Sequence, residues 1–555
     1  MPRLTVSQSV GHAEAERIRS PRHDIVDERA DGDGRFVLVH GPFARYERTV
    51  TVTREPTGAG RAGSDGARDT GDDSGGGGDG AGSADRFTVT QRFDYLLPPG
   101  TWPFLMNHPI RGALRRPRTD GRLPWWYPPQ RPDARAATVL GLLATLSLVV
   151  GYHGTLLTQT MSFAADEFGA DTTAQGTALG AVRVGGLLAI LLGALADRRG
   201  RRLLLNASLL GCIAATTAGA AAPNLAALTA TQVVNRGTVS AAGVLLAIVA
   251  VEEMPAGARA YALSLLSMTG GLGAGLALWV LPVADVGLRA WRLMYLVPLL
   301  FLPVVVRFGR LLPESRRYVR PHRTVGFGGH YHRLALLAGA SFLLFVFTAP
   351  QSQFRTEFLR DERGMSAAMV SLFVMATSTP ASIGIVLGGR LADTRGRRRV
   401  GATGAAVGAV LMALSFTLVG PAMWAAATLG AIFAAMMVPA LSVYGPELFP
   451  TSLRGRANGV INTVATVGSV IGLVLAGYLA NELGSFGWAL GLLAIGPLAM
   501  AAVVLAWFPE TAWRELEDLN PEDRTADSIP PHVPLAGGEN DRSGVAAGDR
   551  HGVLE

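Results

Sequence analysis

Uncharged apolar runs fill most of the interval 134–509, whereas residues 1–133 and 510–555 are dominated by polar and charged positions. A helix of about 20 apolar residues crosses the roughly 30 Å hydrocarbon core of a bilayer. Runs of that kind begin near Ala137, Ala174, Leu203, Leu225, Ala260 and Leu293, and again near Leu334, Ala368, Val400, Ala422, Ala457 and Phe486. The pattern predicts an all-α membrane protein of twelve spanning helices. Ahead of them the pattern changes. Residues 35–53 and 86–97 alternate apolar and polar positions with Val, Thr, Phe and Tyr, the period of strands. Residues 56–85 between them are rich in Gly and Asp and are expected to be disordered. Two short strands alone are marginally stable, so no β domain is assigned there. Trp102, Trp125, Trp126 and Tyr127 lie among arginines just before the first run, which predicts an interfacial anchor over 101–131.

The 49% hydrophobic content agrees with this segregation. No apolar run precedes Ala137, so no cleaved leader is expected. A net charge of +7 would suit a nucleic-acid partner, but the arginines sit in short loops between apolar runs, where they set orientation instead. Arg198, Arg199, Arg201 and Arg202 separate spans two and three. Arg316, Arg317, Arg320 and Arg323 separate spans six and seven, and Arg395, Arg397, Arg398 and Arg399 separate spans eight and nine. The loop after span one is acidic, with Asp166, Glu167 and Asp171. Even-to-odd loops and both termini are therefore expected on the cytoplasmic side of the inner membrane. Cys212 is the one cysteine, which excludes an intrachain disulfide and a cysteine-based metal site.

Three patterns recur at almost one offset. Gly193-Ala-Leu-Ala-Asp197-Arg-Arg-Gly200-Arg-Arg202 matches Gly389-Arg-Leu-Ala-Asp393-Thr-Arg-Gly396-Arg-Arg398 at eight of ten positions, 196 residues later. Pro313-Glu314-Ser315 returns as Pro509-Glu510-Thr511, again 196 later. Glu252-x-x-Pro255-x-x-x-Arg259 returns as Glu447-x-x-Pro450-x-x-x-Arg454, 195 later. The chain reads as a duplication of six spans, a plan that places a solute site between the halves at mid-membrane. The expected units are an extension (1–133), a six-helix bundle (134–312), a central loop (313–333), a second bundle (334–509) and a tail (510–555).

These motifs carry a resemblance. The Gly-x-Leu-Ala-Asp-x-x-Gly-Arg-Arg loops resemble the signature of the major facilitator superfamily. The Pro-Glu-Ser-Arg-Arg-Tyr318 and Pro-Glu-Thr511 endings, with Glu447-Leu-Phe-Pro450-Thr-Ser-Leu-Arg454-Gly-Arg456, resemble its sugar-porter and metabolite–proton symporter branches. The resemblance covers about 137–512 and implies alternating access by two rocking bundles. In the first half of the chain, span five lacks the Gly-Pro pair of the drug–proton antiporter branch, which favours uptake.

The loop charges form a candidate cytoplasmic gate. Asp197 and Asp393 end apolar helices beside dense arginines, where a carboxylate pairs with guanidinium. Glu252 with Arg259, and Glu447 with Arg454, are expected to form matching latches. Arg201, Arg397, Glu314 and Glu510 complete the set. The competing reading is that these charges only fix topology and satisfy helix ends. Positive charge alone would serve topology, so carboxylates at repeated spacing favour gating.

Ionisable residues at mid-span cost ~2.5–3.5 kcal/mol on insertion scales and mark function. Three stand out: His153, Arg183 and Arg236. At a rise of about 1.5 Å per residue, each falls between the outer third and the middle of its span. Their repeat-related positions, Ala349, Thr379 and Ala431, carry no charge. That asymmetry assigns function to the first half. In sugar porters a Gly-Tyr-Asp carboxylate on span one pairs with a span-four arginine and carries the proton. Here the stretch reads Gly151-Tyr152-His153, with Arg236 present, so the resemblance does not supply the proton carrier. Histidine still titrates near neutral pH, although a neighbouring arginine would hold it neutral. The other reading of His153 is a neutral, hydrogen-bonded residue or a substrate contact.

Arg183 and Arg236 have no carboxylate within the spans, which suits an anionic solute; the alternative is capping of backbone carbonyls at a helix break. Gln159, Gln232, Asn235, Gln351, Gln353, Ser378, Thr379 and Asn462 are further polar candidates for the cavity. The Gln351-Ser-Gln353 spacing departs from the Gln-Gln pair of sugar porters. The sequence thus predicts a transporter of a small organic solute, either a carboxylate metabolite or sugar-like, with proton coupling as an option. An exporter of the same superfamily and a transporter-derived sensor are the rivals. No P-loop, metal cluster or nucleophile motif points to an enzyme or a cofactor, and the expected partners are solute, protons and membrane lipid.

Overall fold

The computed structural model describes residues 3–54, 86–99, 102–116, 123–124, 126–170, 172–319, 326–355, 358–365 and 367–523. The Gly/Asp-rich stretch, Trp125, Asp171, Arg320, Arg323 and the tail past 523 lie outside them. Twelve long helical segments follow the twelve apolar runs. Span one is Ala134–Phe168, and its Ala134–Met161 portion is apolar enough to cross a membrane. Span two is Thr172–Val184 and Leu188–Arg199, joined by a 3-10 turn at Gly185–Leu187. Spans three to six are Arg201–Gly219, Leu225–Glu253, Arg259–Val280 and Trp291–Leu311. Spans seven and eight are Tyr331–Gln353 and the pair Ala367–Ser378 and Ala381–Arg395. Spans nine to twelve are Arg397–Leu414, Gly420–Ser442, Arg454–Leu483 and Phe486–Trp507.

Eleven of these are long and apolar enough to cross a membrane. Span nine falls short because three arginines open it, Arg397 to Arg399. It is the repeat partner of span three and packs against spans eight, ten and twelve. Span one runs along span five, and span seven along span eleven, so the repeat is also a repeat of packing. Among the described span starts, spans one, four and twelve are capped by the side chain of the residue just before the helix. Asp133 accepts from Ala136 N at 2.7 Å, and Asn224 accepts from Ala227 N at 2.8 Å, each replacing a helix bond that the first turn lacks.

The extension corrects the sequence reading. It is a folded unit: a five-stranded antiparallel sheet of β1 (Arg3–Gly11), β2 (Asp27–Ala30), β3 (Arg35–His40), β4 (Arg45–Arg54) and β5 (Arg86–Leu96), in the order β1-β5-β4-β3-β2. The stretch 35–53 is a hairpin of two strands, and 86–97 is the central β5. The strands β1 and β2 were not predicted. One face of the sheet buries Leu4, Tyr46, Val50, Val89 and Phe93 with Ile18 of helix α1 (His12–Ile18). The edge strand β2 has no apolar alternation, because its inward residue is Glu28. That carboxylate accepts from Arg48 Nη2 at 2.6 Å and from Tyr46 Oη at 2.5 Å. Arg48, fully buried, also donates to Ile18 O and Ser20 O at 2.8 Å each, so its charge is satisfied throughout. A second helix, α2 (Trp102–Arg115), carries the predicted anchor region to the bundle.

Candidate functional site

The arginine loops close one side of the bundle through bonds between the halves. Asp197 ends span two and accepts from Gly455 N and Arg456 N, both at 3.0 Å, at the start of span eleven. Asp393 ends span eight and accepts from Ala260 N at 3.3 Å and Tyr261 N at 3.0 Å, at the start of span five. Each half thus sets a carboxylate on the N-terminus of a helix of the other half, where unpaired N–H groups and the helix dipole favour negative charge. The approach is close. A Cβ on Gly193 would lie 2.4 Å from Gly455 O, so span two crosses span eleven only with glycine there.

Beside these joints lie two ion pairs, and their partners are not those expected. Glu252 pairs with Arg454 at 2.6 Å and Glu447 with Arg259 at 3.0 Å, each across the halves; the expected pairs lay within them. The cause is geometric. Glu252 and Glu447 finish one helix while Arg259 and Arg454 begin the next, so the arginines face the seam. All four side chains are buried. Arg201 adds a bond to Asp197 at 3.0 Å and lies 3.6 Å from Glu252. Arg397 bonds Asp393 at 3.3 Å and Glu447 in the same way.

Glu314 and Glu510 do not join the crossing set. Glu314 accepts from Arg201 N at 2.9 Å, and Glu510 from Arg397 N at 3.0 Å, each capping a helix of its own half. The cap needs Gly200 and Gly396 in left-handed backbone, at φ 108° and 99°; a Cβ there would meet the glutamate oxygen at 2.6 Å.

The tail contributes residues to which the sequence assigns no role, because nothing in its spacing ties them to the loops. Asp523 accepts from Thr451 N at 3.0 Å and lies 3.2 Å from Arg454 Nη2. Glu515 lies 3.4 Å from Arg259. Trp513 Nε1 donates to Asp393 O at 2.7 Å while its ring covers Gly257 of the first half.

The mid-span candidates fall into two groups. Arg183 donates to Ser469 Oγ of span eleven at 2.7 Å, a bond across the halves. Arg236 lies near enough to feel the charge of Arg183, and among the described residues no hydrogen-bond partner is given to it. It remains accessible while Asn235 and Gly237 on either side are buried. Its helix packs against spans two and eleven. His153 belongs to the second group, inside the first half. Its Nδ1 lies 2.9 Å from Thr216 Oγ1, and Asn235 Nδ2 donates to Gln232 Oε1 at 3.0 Å and to His153 O at 3.4 Å. Among the described residues the imidazole is bonded to Thr216 and not to an arginine. His153 Nε2, Gln232 Nε2 and Asn235 Oδ1 are buried without partners. Gln159 is half-buried on span one. Gln351 joins neither group, since its amide is directed to Met412 Sδ of span nine at 3.4 Å.

Two pseudo-symmetric six-helix bundles, closed at one side by reciprocal charge joints, define a polytopic membrane protein of the major facilitator fold. The family model of the Major Facilitator Superfamily matches residues 334–530. A structure titled as the proton:xylose symporter XylE bound to 6-bromo-6-deoxy-D-glucose aligns at TM-score 0.60 and 16% identity, over 70% of this chain and 99% of that one. The transporter FucP in its outward conformation aligns at TM-score 0.57 and 14% identity, over 67% and 98%. A probable actinorhodin transporter of Streptomyces coelicolor is 29% identical over 151 residues. That match spans 26% of this chain and 26% of the relative, so the chain spans about a quarter of the length of the curated relative it matches. The chain carries the superfamily's fold, and the superfamily's model matches it over residues 334–530.

Proposed function

We propose that this protein is a secondary transporter that moves a small organic anion, such as a carboxylate metabolite, by alternating access. The observation that carries the reading is the contrast between two sets of charges. Loop carboxylates and arginines neutralise one another across the halves, whereas Arg236 at mid-span has no carboxylate partner among the described residues. A mid-span guanidinium without a carboxylate favours an anion that offers two acceptor oxygens. Arg183, tied to Ser469, would register solute binding on both halves at once. The closed side is assigned to the cytoplasm, with both termini, by the excess of arginine in its loops. The membrane is the cytoplasmic one, and Asp197, Arg201, Glu252, Arg259, Asp393, Arg397, Glu447 and Arg454 form the gate, with Glu314 and Glu510 supporting it from within each half.

Proton coupling through His153 is the second element of the proposal, supported by a buried imidazole whose Nε2 has no partner among the described residues and by the likeness of the fold to a proton:xylose and a fucose:proton symporter. Proton movement in proteoliposomes, screened with pools of organic acids and sugars, tests it. External alkalinisation that needs a solute pool and disappears in His153→Ala establishes symport. Solute flux without proton movement makes the protein a uniporter or exchanger and His153 a binding or structural residue. The rival reading is a drug or metabolite exporter of the same superfamily, and the partial match to a probable actinorhodin transporter keeps it in play. Flux directed outward in the same vesicles would support it.

A further inference from the structure

Arg390 stands one turn before Asp393 on span eight, at a repeat position where the first half has Ala194. Nothing in the crossing joints requires it. Its guanidinium donates to the carbonyl oxygens of Pro124 and Tyr127, in the segment that leads from the extension to span one. A few residues on, Gln130 Oε1 accepts from Gly257 N at 2.8 Å, in the turn between spans four and five. Residues 126–130 are therefore bonded to the second half through Arg390 on Tyr127 and to the first through Gln130. They cross the seam on its arginine-loop face.

The strap is held from behind by the β domain. Arg131 donates to Asp24 O at 2.6 Å. Arg22 donates to Ala113 O and Leu114 O at 3.0 Å each, on the last turn of α2, where a cation complements the helix dipole. Tyr127 is buried in the same apolar cluster as Ile110 and Leu114 of α2 and Val139 of span one. Beneath the strap lies an apolar cavity of about 270 Å³, walled by Met106, Trp126, Tyr261, Ser264 and Met268, with Val386 of span eight. A segment that served only to rest on a bilayer would need no charge-assisted bond to the second half.

We propose that the N-terminal β domain and residues 126–130 form a closing strap, which must release Arg390 before the arginine-loop face opens. This rests on the alternating-access reading above. Opening parts span five from span eight, so the strap either leaves one of its two anchors or holds both halves together. Its anchors, Arg390 on strap carbonyls and Gln130 on the Gly257 N–H, are bonds that water replaces on release, so the strap biases the equilibrium toward closure without forbidding the open state.

The test reads opening directly and needs no solute. In full-length Cys212→Ser protein, Ser264→Cys places a thiol where Ser264 now meets the backbone of span eight near Gly389. Its labelling by a hydrophilic maleimide reports separation of the halves. Arg390→Ala is expected to raise the labelling rate by about tenfold, the population shift that loss of charge-assisted bonds produces. Gln130→Ala is expected to raise it less, and Arg390→Lys to restore most of the protection. Arg111→Ala, which removes only the 3.0 Å bond to Tyr95 Oη inside the extension, should leave the rate unchanged. Unchanged labelling in both Arg390→Ala and Gln130→Ala, with faster labelling in Glu447→Gln, overturns the strap and leaves the gate. Unchanged labelling in all three overturns the gate as well. Should Arg390→Ala fail to give monodisperse protein, Gln130→Ala carries the test.

Discussion

Glu252 at the end of span four lies 2.6 Å from Arg454 at the start of span eleven, and the repeat-related pair Glu447–Arg259 mirrors it at 3.0 Å. Each acid has exchanged the arginine seven residues along its own chain for the equivalent arginine of the other half. The exchange turns two local motifs into one joint between halves, and burial makes the joint all-or-none. Removing a single partner strands a buried charge.

Single substitutions Glu252→Gln and Arg454→Gln should each destabilise the closed bundle by about 3 kcal/mol, and the double variant by clearly less than the sum. Thermal unfolding in detergent gives the cycle. Coupling of Glu252 to Arg259, and none to Arg454, would contradict the exchange.

Asp197→Ala and Asp393→Ala should both change the transport rate, because each removes the acceptor from two backbone N–H groups of the opposite half. Initial rates in proteoliposomes decide this. Wild-type rates in both variants would make the loop carboxylates topological only.

Gly193→Val should hold the arginine-loop side open, since the new Cβ would sit 2.4 Å from Gly455 O. A thiol reporter at the seam should then label at its open-state rate irrespective of solute. Normal protection would show that spans two and eleven can part without loss of closure.

Arg236→Gln should weaken binding of an anionic solute by about tenfold or more while leaving neutral solutes unaffected. Equilibrium binding to purified protein measures it. An unchanged affinity would remove the anion site from span four.

On the opposite side, Glu167 lies past the crossing portion of span one. It accepts from Arg292 Nη2 at 2.9 Å and from Trp291 Nε1 at 2.8 Å. The Arg292 hydrogen bonds are the main reason its carboxyl is held below the usual range. A depressed folded-state pKa gives stability that is complete above the unfolded value, about 4.3, and is lost as the pH falls through the folded one. Melting temperature should therefore drop below about pH 4, and Glu167→Gln should flatten that part of the profile. An identical acid limb in the variant would place the effect elsewhere.

The twelve helices were legible because a lipid core imposes its thickness on sequence directly, as runs of apolar residues. Span nine was found from its run at Val400 even though Arg397 to Arg399 keep it below the membrane threshold. The duplication was legible in three motifs at one offset. The β domain was not. Strand β1 does alternate, at Leu4, Val6 and Val10, but Gln8 interrupts the apolar set. Strand β2 buries Glu28 in place of an apolar residue, and only Arg48, twenty residues away, makes that position tolerable.

At the gate, sequence determined which residues carry charge, since repeated carboxylates beside arginines stand out against an apolar background. Tertiary structure decided their partners. A motif fixes spacing along one helix end, but Asp197, Glu252 and Arg454 meet only where the two halves pack. The same holds for Arg390: sequence shows one arginine more than the repeat requires, and folding of the extension supplies the carbonyls it binds. Local chemistry is written in neighbours, whereas a joint between halves depends on the packing of helices hundreds of residues apart.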